Sequence, residues 1–535
     1  MNVDELGREK TRKRDSVLEA ASLLKAISKL EKRLLNAIGD PARIDRVRGF
    51  GGEDTPYADF TPKLEPLFDR CRTAFNLDRL ELAREAYAGL FTVLAVKDVY
   101  GFAVVPPAAT DMRMEYYRFL RAVVETAPAK RRAQRLLDAM RDLRQRHWDA
   151  CDLSILGVLE ITPSPLAGRA ALLDDLIRLL GKGTENDDDR WLRQAVRLRR
   201  GAEGLAELAR KEGQWRPRVW VDWLELVAAE NDPAKLGAAA KEALGGIPEG
   251  LNLRATAADH WFRAATALSD GAAALTARWE AFRAEPFPRR LLDLRDAAGD
   301  ASARLYWMKR AVDQTLCVGT PLVQGPEIGF TGRDEDRPFL EEGDRFDDAA
   351  SEGMTACAQL LAGDWRGAFE KAREEPVRDW SSGYDTQGFV LPVLLAWLAG
   401  RPENPSPPNL AVLLDESLQR LDMREEPEPR TSRRFGQALA EAMAEWQAPT
   451  EAEQSKLLND CVGLALQQVN AIANGTQRDA CGRAATLACA VAELLRERGD
   501  GRRAERMFAD LLARHNRNAA FKKELALRRR RASSR

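Results

Sequence analysis

The sequence predicts an all-α protein of TPR-like helical hairpins stacked as an α-solenoid or irregular helical bundle, with a C-terminal helical unit. Three observations carry that expectation. Apolar residues recur at three- and four-residue spacing nearly everywhere, and β-branched alternation is hard to find. The stretches Gly363-Asp364-Trp365-Arg366-Gly367-Ala368-Phe369 and Gly499-Asp500-Gly501-Arg502-Arg503-Ala504 repeat one device, a Gly-Asp turn followed by a helix opening. Leu360-Leu361 and Leu494-Leu495 end the incoming helices, glycine suits the left-handed C-cap, and the Asp can cap the outgoing helix. Weaker copies lie at Gly299-Asp300 and, reversed, at Asp270-Gly271. The strong pair is 136 positions apart, four times a tetratricopeptide period of roughly 34 residues. Finally, the connections are short, as antiparallel helical neighbours require.

Taken in order, Val17, Leu18, Leu24, Ile27, Leu30, Leu34, Leu35 and Ile38 form one stripe. They predict a first helix from about Asp15 to Ile38, stopped by Gly39-Asp40-Pro41. A loop over Gly49 to Pro62 precedes helices beginning near Lys63 and Arg79. Two more follow Pro106-Pro107, entered through Thr110-Asp111 and Pro128. These make an N-terminal helical region, 1–160. A helical-repeat solenoid is expected over 161–400, punctuated by Gly181-Lys182-Gly183, Gly213, Asn231-Asp232-Pro233, Gly245-Gly246 and Gly299, with a polar break from Gly183 to Asp189. The stripe fails over a long loop, 316–346, and again from Pro376 to Gly388. Residues 401–432 form a Pro-rich linker with one short helix, from Leu410 to Met423, between Arg401-Pro402 and Pro427-Glu428-Pro429. Proline removes a backbone donor and disfavours helix before it, so the two proline segments flanking this amphipathic helix are expected to be extended, solvated and hinge-like. A C-terminal helical unit, 433–535, ends in the basic tail 528–535.

Composition narrows the function classes. Lys and Arg number 82 against 83 Asp and Glu, so the whole chain lacks a global field that would draw nucleic acid or an anionic membrane. The first fifteen residues are highly charged, and no apolar run approaches the roughly 20 residues of a membrane span. A cytoplasmic location is expected. Seven cysteines, irregularly spaced within apolar helical patterns, point to reduced thiols rather than a disulfide framework.

No residue set rises to a catalytic motif. His147 and Cys151 stand one turn apart, but no Cys-x-x-Cys or His-x-x-x-His companion completes a metal site. His260 is expected at an interhelical seam and His515 on an exposed basic helix between Arg514 and Arg517. Asp187-Asp188-Asp189 and Glu341-Glu342 lack the alternate-position spacing of a calcium loop and read as solvated loop. Gly325 to Gly332 has glycines without the strand or lysine of a phosphate cradle. No metal or cofactor is therefore expected. The tail Arg528-Arg529-Arg530-Arg531 could touch a phosphate backbone weakly, but nothing aromatic is interleaved for base stacking. Aromatic residues commonly anchor protein interfaces, which makes Trp215, Trp220, Trp223, Trp380 and Tyr384 candidate partner-binding residues. Core packing competes with that role for the 215–223 cluster.

Several phrases together resemble one family. Tyr100-Gly101-Phe102, the Tyr116 to Ala127 stretch YYRFLRAVVETA, Trp279-Glu280-Ala281-Phe282-Arg283, the Leu291 to Gly299 stretch LLDLRDAAG, Trp380-Ser381-Ser382-Gly383 and Phe508 to Leu525 are similar to the helical-repeat region of bacterial SWIM zinc-finger-type proteins and their uncharacterised relatives. The resemblance runs from about Arg79 onward and implies the repeat scaffold in a bacterial cytoplasm. The finger itself, Cys-x-Cys followed by Cys-x-His, is absent from this sequence, so its zinc and its contacts do not carry over.

The function expected from these features is a non-enzymatic scaffold or adaptor that binds a protein partner. The alternative is a bacterial regulatory accessory protein, of the CRISPR-associated kind, cut by a partner peptidase around 423–432, with Met423, Arg424 and Arg430 as cleavage candidates. That cut would separate the C-terminal helices.

Overall fold

The computed structural model describes residues 3–38, 57–98, 101–147, 150, 152–183, 185–318, 351–375, 386–400, 407–422, 428–474 and 480–533. The described chain is all-α; its one β feature is an isolated bridge between Lys97 and Ala103. It divides into two compact units, the first running through Asp222 and the second beginning at Trp223.

In the first unit come Val3–Ile38, Thr61–Asn76, Leu80–Ala95, Met112–Thr126, Arg132–Arg146, Ile155–Glu160, Arg169–Leu180 and Asn186–Glu212. Each packs on the next helix or the next but one, the nearest-neighbour pattern of stacked hairpins. Phe68, Tyr87, Phe91, Tyr116 and Phe119 form its aromatic core, with the Phe91 and Tyr116 ring centroids 4.9 Å apart.

The second unit begins within helix Arg218–Ala229 and continues with Pro233–Gly246, Leu253–Ala267, Gly271–Ala284 and Pro288–Ala297, the last four packed in sequence. It then departs from a simple stack. After Ala301–Val318 come Ser351–Leu361, Trp365–Glu374, Thr386–Leu398, Pro408–Gln419, Thr431–Glu445, Glu451–Asn474, Cys481–Glu497, Gly501–Arg514 and Ala519–Ser533. Here helices distant in sequence meet: Thr431–Glu445 lies against both Pro288–Ala297 and Ser351–Leu361, and Pro408–Gln419 against Cys481–Glu497. One apolar core consequently runs from Trp279 to Leu525.

The joints explain the repeated turn. At Gly363 (φ 76°) the incoming helix ends with Asp364 N–H donating to the Gln359 carbonyl at 2.9 Å, and the Asp364 carboxylate then accepts from Gly367 N–H at 3.0 Å. Gly499 (φ 81°) and Asp500 repeat both bonds, to Leu495 and from Arg503. Gly299 (φ 76°) precedes Asp300, which caps Ala303. At the reversed copy the left-handed position is taken by Ser269 (φ 57°), and Asp270 caps Ala273. Asn231 (φ 56°) and Asp232 make a fifth. A left-handed residue closing one helix and an Asp opening the next is thus the shared device. The first three lie at 231, 269 and 299, so the period is irregular rather than fixed.

Several expectations are corrected. The first helix starts at Val3, twelve residues before Asp15. Helix Ala301–Val318 enters the expected 316–346 loop, whose residues from 319 lie outside the described ones. Asp187, Asp188 and Asp189 are no solvated loop: they open helix Asn186–Glu212, where the N-terminal dipole favours acids, and Asp188 and Asp189 are buried. The linker helix runs from Pro408 to Gln419, ending short of Met423, and buries Leu410 and Leu413 in the second unit's core as an amphipathic helix does; of the proline segments expected to be solvated, 401–406 and 423–427 lie outside the described residues. The C-terminal helices share that core and form no unit of their own.

Candidate functional site

Helix Ala301–Val318 carries the strongest candidate for a docking face. Met308 and Ala311 point into the core, while Leu305, Tyr306 and Leu316 are 40%, 59% and 54% exposed. Leu305 and Leu316 are eleven residues apart, about three turns at 3.6 residues per turn, and so share one side. Tyr306 flanks them and meets the Trp307 ring edge-on at 5.4 Å. Trp307 in turn leans on Trp279, with centroids 5.4 Å apart. The Arg310 guanidinium lies over both indoles, 4.4 Å from the Trp279 ring and 5.0 Å from that of Trp307. The result is a rigid Trp-Trp-Arg base with exposed tyrosine and leucine beside it; tryptophan, tyrosine and arginine are the side-chain types that most often dominate protein interfaces. Tyr306-Trp307 and Arg310 are visible in the sequence, but only packing distinguishes their outward face from the inward one.

The expected anchors are distributed differently. Trp220 and Trp223 are 4% and 7% exposed, so they belong to the interior and have little surface to offer a partner. Trp215 is half-buried in the turn after Asn186–Glu212. Trp380 and Tyr384 lie outside the described residues, as do Met423 and Arg424. Arg430 is described and exposed, bonded to Glu428 at 3.3 Å. The strip it borders is closed at its base: Asp422 accepts from Ser432 N–H at 2.7 Å and from its hydroxyl at 2.9 Å. A cleft of about 600 Å³ lies there, lined by Asp415, Asp422, Arg430 and Arg433 among others.

No acid–base or nucleophilic centre assembles from the described candidates. His147 is buried against Phe91 and Tyr116, and Cys151 lies outside the described residues. His260 has its basicity lowered, chiefly by burial. His515 is not on an exposed face as expected: it is 4% exposed, its ring nitrogen lies 2.8 Å from Asn470 Oδ1, and its ring meets Phe521 edge-on. Burial pushes the Cys71 and Cys489 thiols up to about 12 and raises those of Cys357 and Cys461 as well, which makes them poor nucleophiles. Among the described residues no group of three His, Cys, Asp or Glu side chains could hold a metal ion. No described helix is long and apolar enough to cross a membrane.

Buried charge instead serves architecture. Asp189 joins Arg193 and Arg216, each at 2.9 Å; Asp188 takes Arg141 at 2.6 Å, and Asp187 pairs with Arg144. In the second unit Glu493, 6% exposed, receives the Asn409 and Leu410 backbone N–H groups at 3.0 and 3.2 Å and the Asn409 amide at 2.6 Å. A carboxylate from Cys481–Glu497 thereby caps the start of Pro408–Gln419. Sequence reading missed both sets, because each pairs residues remote in the chain.

No protein-family model matches the chain, and no curated protein matches it. Among solved structures it is similar to "Structure of Naa15/Naa10 bound to HypK-THB", at 12% identity and a TM-score of 0.26, over 95% of this chain and 80% of that one. It is also similar to a "Circular tandem repeat protein with novel repeat topology and enhanced subunit contact surfaces", at 15% identity and a TM-score of 0.16, over 96% and 99%. Scores this low carry no argument about partner or activity.

Proposed function

We propose that this chain is a non-enzymatic helical-repeat scaffold that holds a protein partner on the Leu305, Tyr306 and Leu316 face. The observation that carries the reading is the exposed Tyr306 beside the Trp279, Trp307 and Arg310 stack. A rigid aromatic base costs little ordering entropy on binding, so a partner gains most of the contact energy. The test is recovery of partners from the native host by the full chain and by Tyr306→Ala with Leu305→Asp. Both substitutions are at exposed positions, and the lost Tyr306–Trp307 edge contact should lower folding stability by about 0.5–1.5 kcal/mol, too little to unfold the chain. Loss of an interface tyrosine should weaken a bound partner by about 2 kcal/mol, roughly thirty-fold. A variant that retains every partner at unchanged affinity overturns the assignment.

A second reading, regulated cleavage beside Arg430 in a bacterial cytoplasm, is favoured by one observation. Glu428, Pro429 and Arg430 are all exposed, and the Asp422 bridge to Ser432 presents them at the edge of the fold. A nick here would release no C-terminal piece by itself, because the helices on both sides share one core. Release would need the cutting partner or a further factor to pull that core apart.

A further inference from the structure

The last three helices carry a charge that the chain as a whole conceals. Residues 481–535 contain fifteen Lys and Arg against six Asp and Glu, within a chain that is balanced overall. The structure engages three of those acids within the fold, one of them buried, while Glu497 and Asp510 stay exposed. Glu493 is buried on the Pro408–Gln419 terminus, Asp500 caps its own helix, and Glu505 is shared by Arg496 at 2.6 Å and Arg529 at 3.0 Å. Arg529 is also stacked over Phe508, 4.3 Å from its ring centre, so the tail's second arginine is part of the fold rather than of a free arm. Left over are Arg502, Arg506, Arg517, Lys522, Lys523 and Arg530, none of which makes an ion pair among the described residues. Arg502 and Arg506 stand one turn apart on the outer side of Gly501–Arg514, and Lys523 and Arg530 two turns apart on the outer side of Ala519–Ser533.

We infer that this surface binds the sugar-phosphate backbone of a double-stranded nucleic acid without reading its sequence. Protein interfaces need an apolar centre depleted in charge, whereas here Leu527 is the one exposed large apolar side chain among the described residues of the three helices. Single strands are held by aromatic platforms, and no exposed aromatic ring lies on these helices. Arginine forks and lysine point charges without either feature match closely spaced phosphates, whose released counterions drive association. The expected tail contact is thereby moved onto the folded helices at 501–530.

The test is fluorescence anisotropy of the full chain with a labelled DNA duplex of about 20 base pairs over a salt series. The expected result is an affinity whose logarithm falls linearly with the logarithm of salt concentration. Arg502→Glu with Arg506→Glu and Lys523→Glu should flatten that slope by about one unit per residue and weaken low-salt binding at least tenfold. All three sites are exposed, and an acid at 502 suits the first turn of its helix, so an unchanged thermal midpoint is expected to show that the fold persists. Absence of duplex binding, or a slope unaffected in the folded variant, overturns the inference. So does displacement by polyglutamate as effective as by duplex, which would mark an acidic protein as the ligand, or tighter binding to the single strand.

Discussion

Glu493 shows how a single side chain ties distant sequence together. Its carboxylate accepts from the Asn409 and Leu410 backbone N–H groups and from the Asn409 side-chain amide, all within the buried interior. Glu493→Ala should cost about 1–3 kcal/mol, read as a lower urea midpoint at unchanged slope. Burial raises its pKa above that of an unfolded glutamate, with Asn409 and Leu410 pulling the other way. Folding therefore takes up a proton between the two values. The favourable linkage is complete below the ordinary glutamate range and is lost as pH rises through the shifted pKa. Relative to Glu493→Gln, the wild-type chain should gain stability as pH falls into that range, and a difference independent of pH would refute the linkage. None of this was legible in the sequence, where Glu493 sits in an ordinary amphipathic helix and its partner is 84 positions away.

Among elements, the helix joints were the most legible, because a left-handed residue and its capping Asp are chain neighbours whose chemistry needs nothing else. Gly363→Ala and Gly499→Ala force a Cβ into the left-handed region and should each cost about 1–2 kcal/mol. Asp364→Ala and Asp500→Ala should each cost about 1 kcal/mol through the lost cap. Thermal unfolding of the four variants checks both ranges. Ser269 was less legible: the reversed Asp270-Gly271 pair drew attention to the glycine, which is merely the first residue of its helix. The linker helix was legible as an amphipathic element, but where its apolar face docks was not. Prolines on both sides are local signals of a break, but they do not report that Leu410 and Leu413 meet a core from elsewhere. A chain nicked between Asp422 and Arg430 should accordingly elute as one noncovalent complex in size-exclusion chromatography, whereas two separated fragments would refute the shared core.

For the second unit as a whole, the aromatic ladder across that linker is decisive. Trp365 meets Trp397, and Trp397 meets Trp446, each pair with centroids 5.0 Å apart, while the Trp446 indole N–H donates to the Leu360 carbonyl at 3.2 Å. Trp446→Ala should remove about 3–5 kcal/mol, combining lost transfer energy with a cavity. Hydrogen exchange should then speed up together in Ser351–Leu361, Thr386–Leu398 and Thr431–Glu445; a loss confined to the last would mean that the core is divided after all.

The sequence by itself determined the helices, most of their ends and the turns that join them, since periodicity, capping and left-handed preference act over a few residues. It also limited the catalytic menu to three histidines and scattered cysteines. Only tertiary structure decided that the helix between the proline segments joins the core, that His515 is buried, that Trp220 and Trp223 face inward while Tyr306 faces out, and that Glu493 is buried and Glu505 paired on the last three helices. Each of those outcomes depends on which remote side chain arrives at a given face, and burial and charge pairing are properties of that meeting rather than of either segment alone.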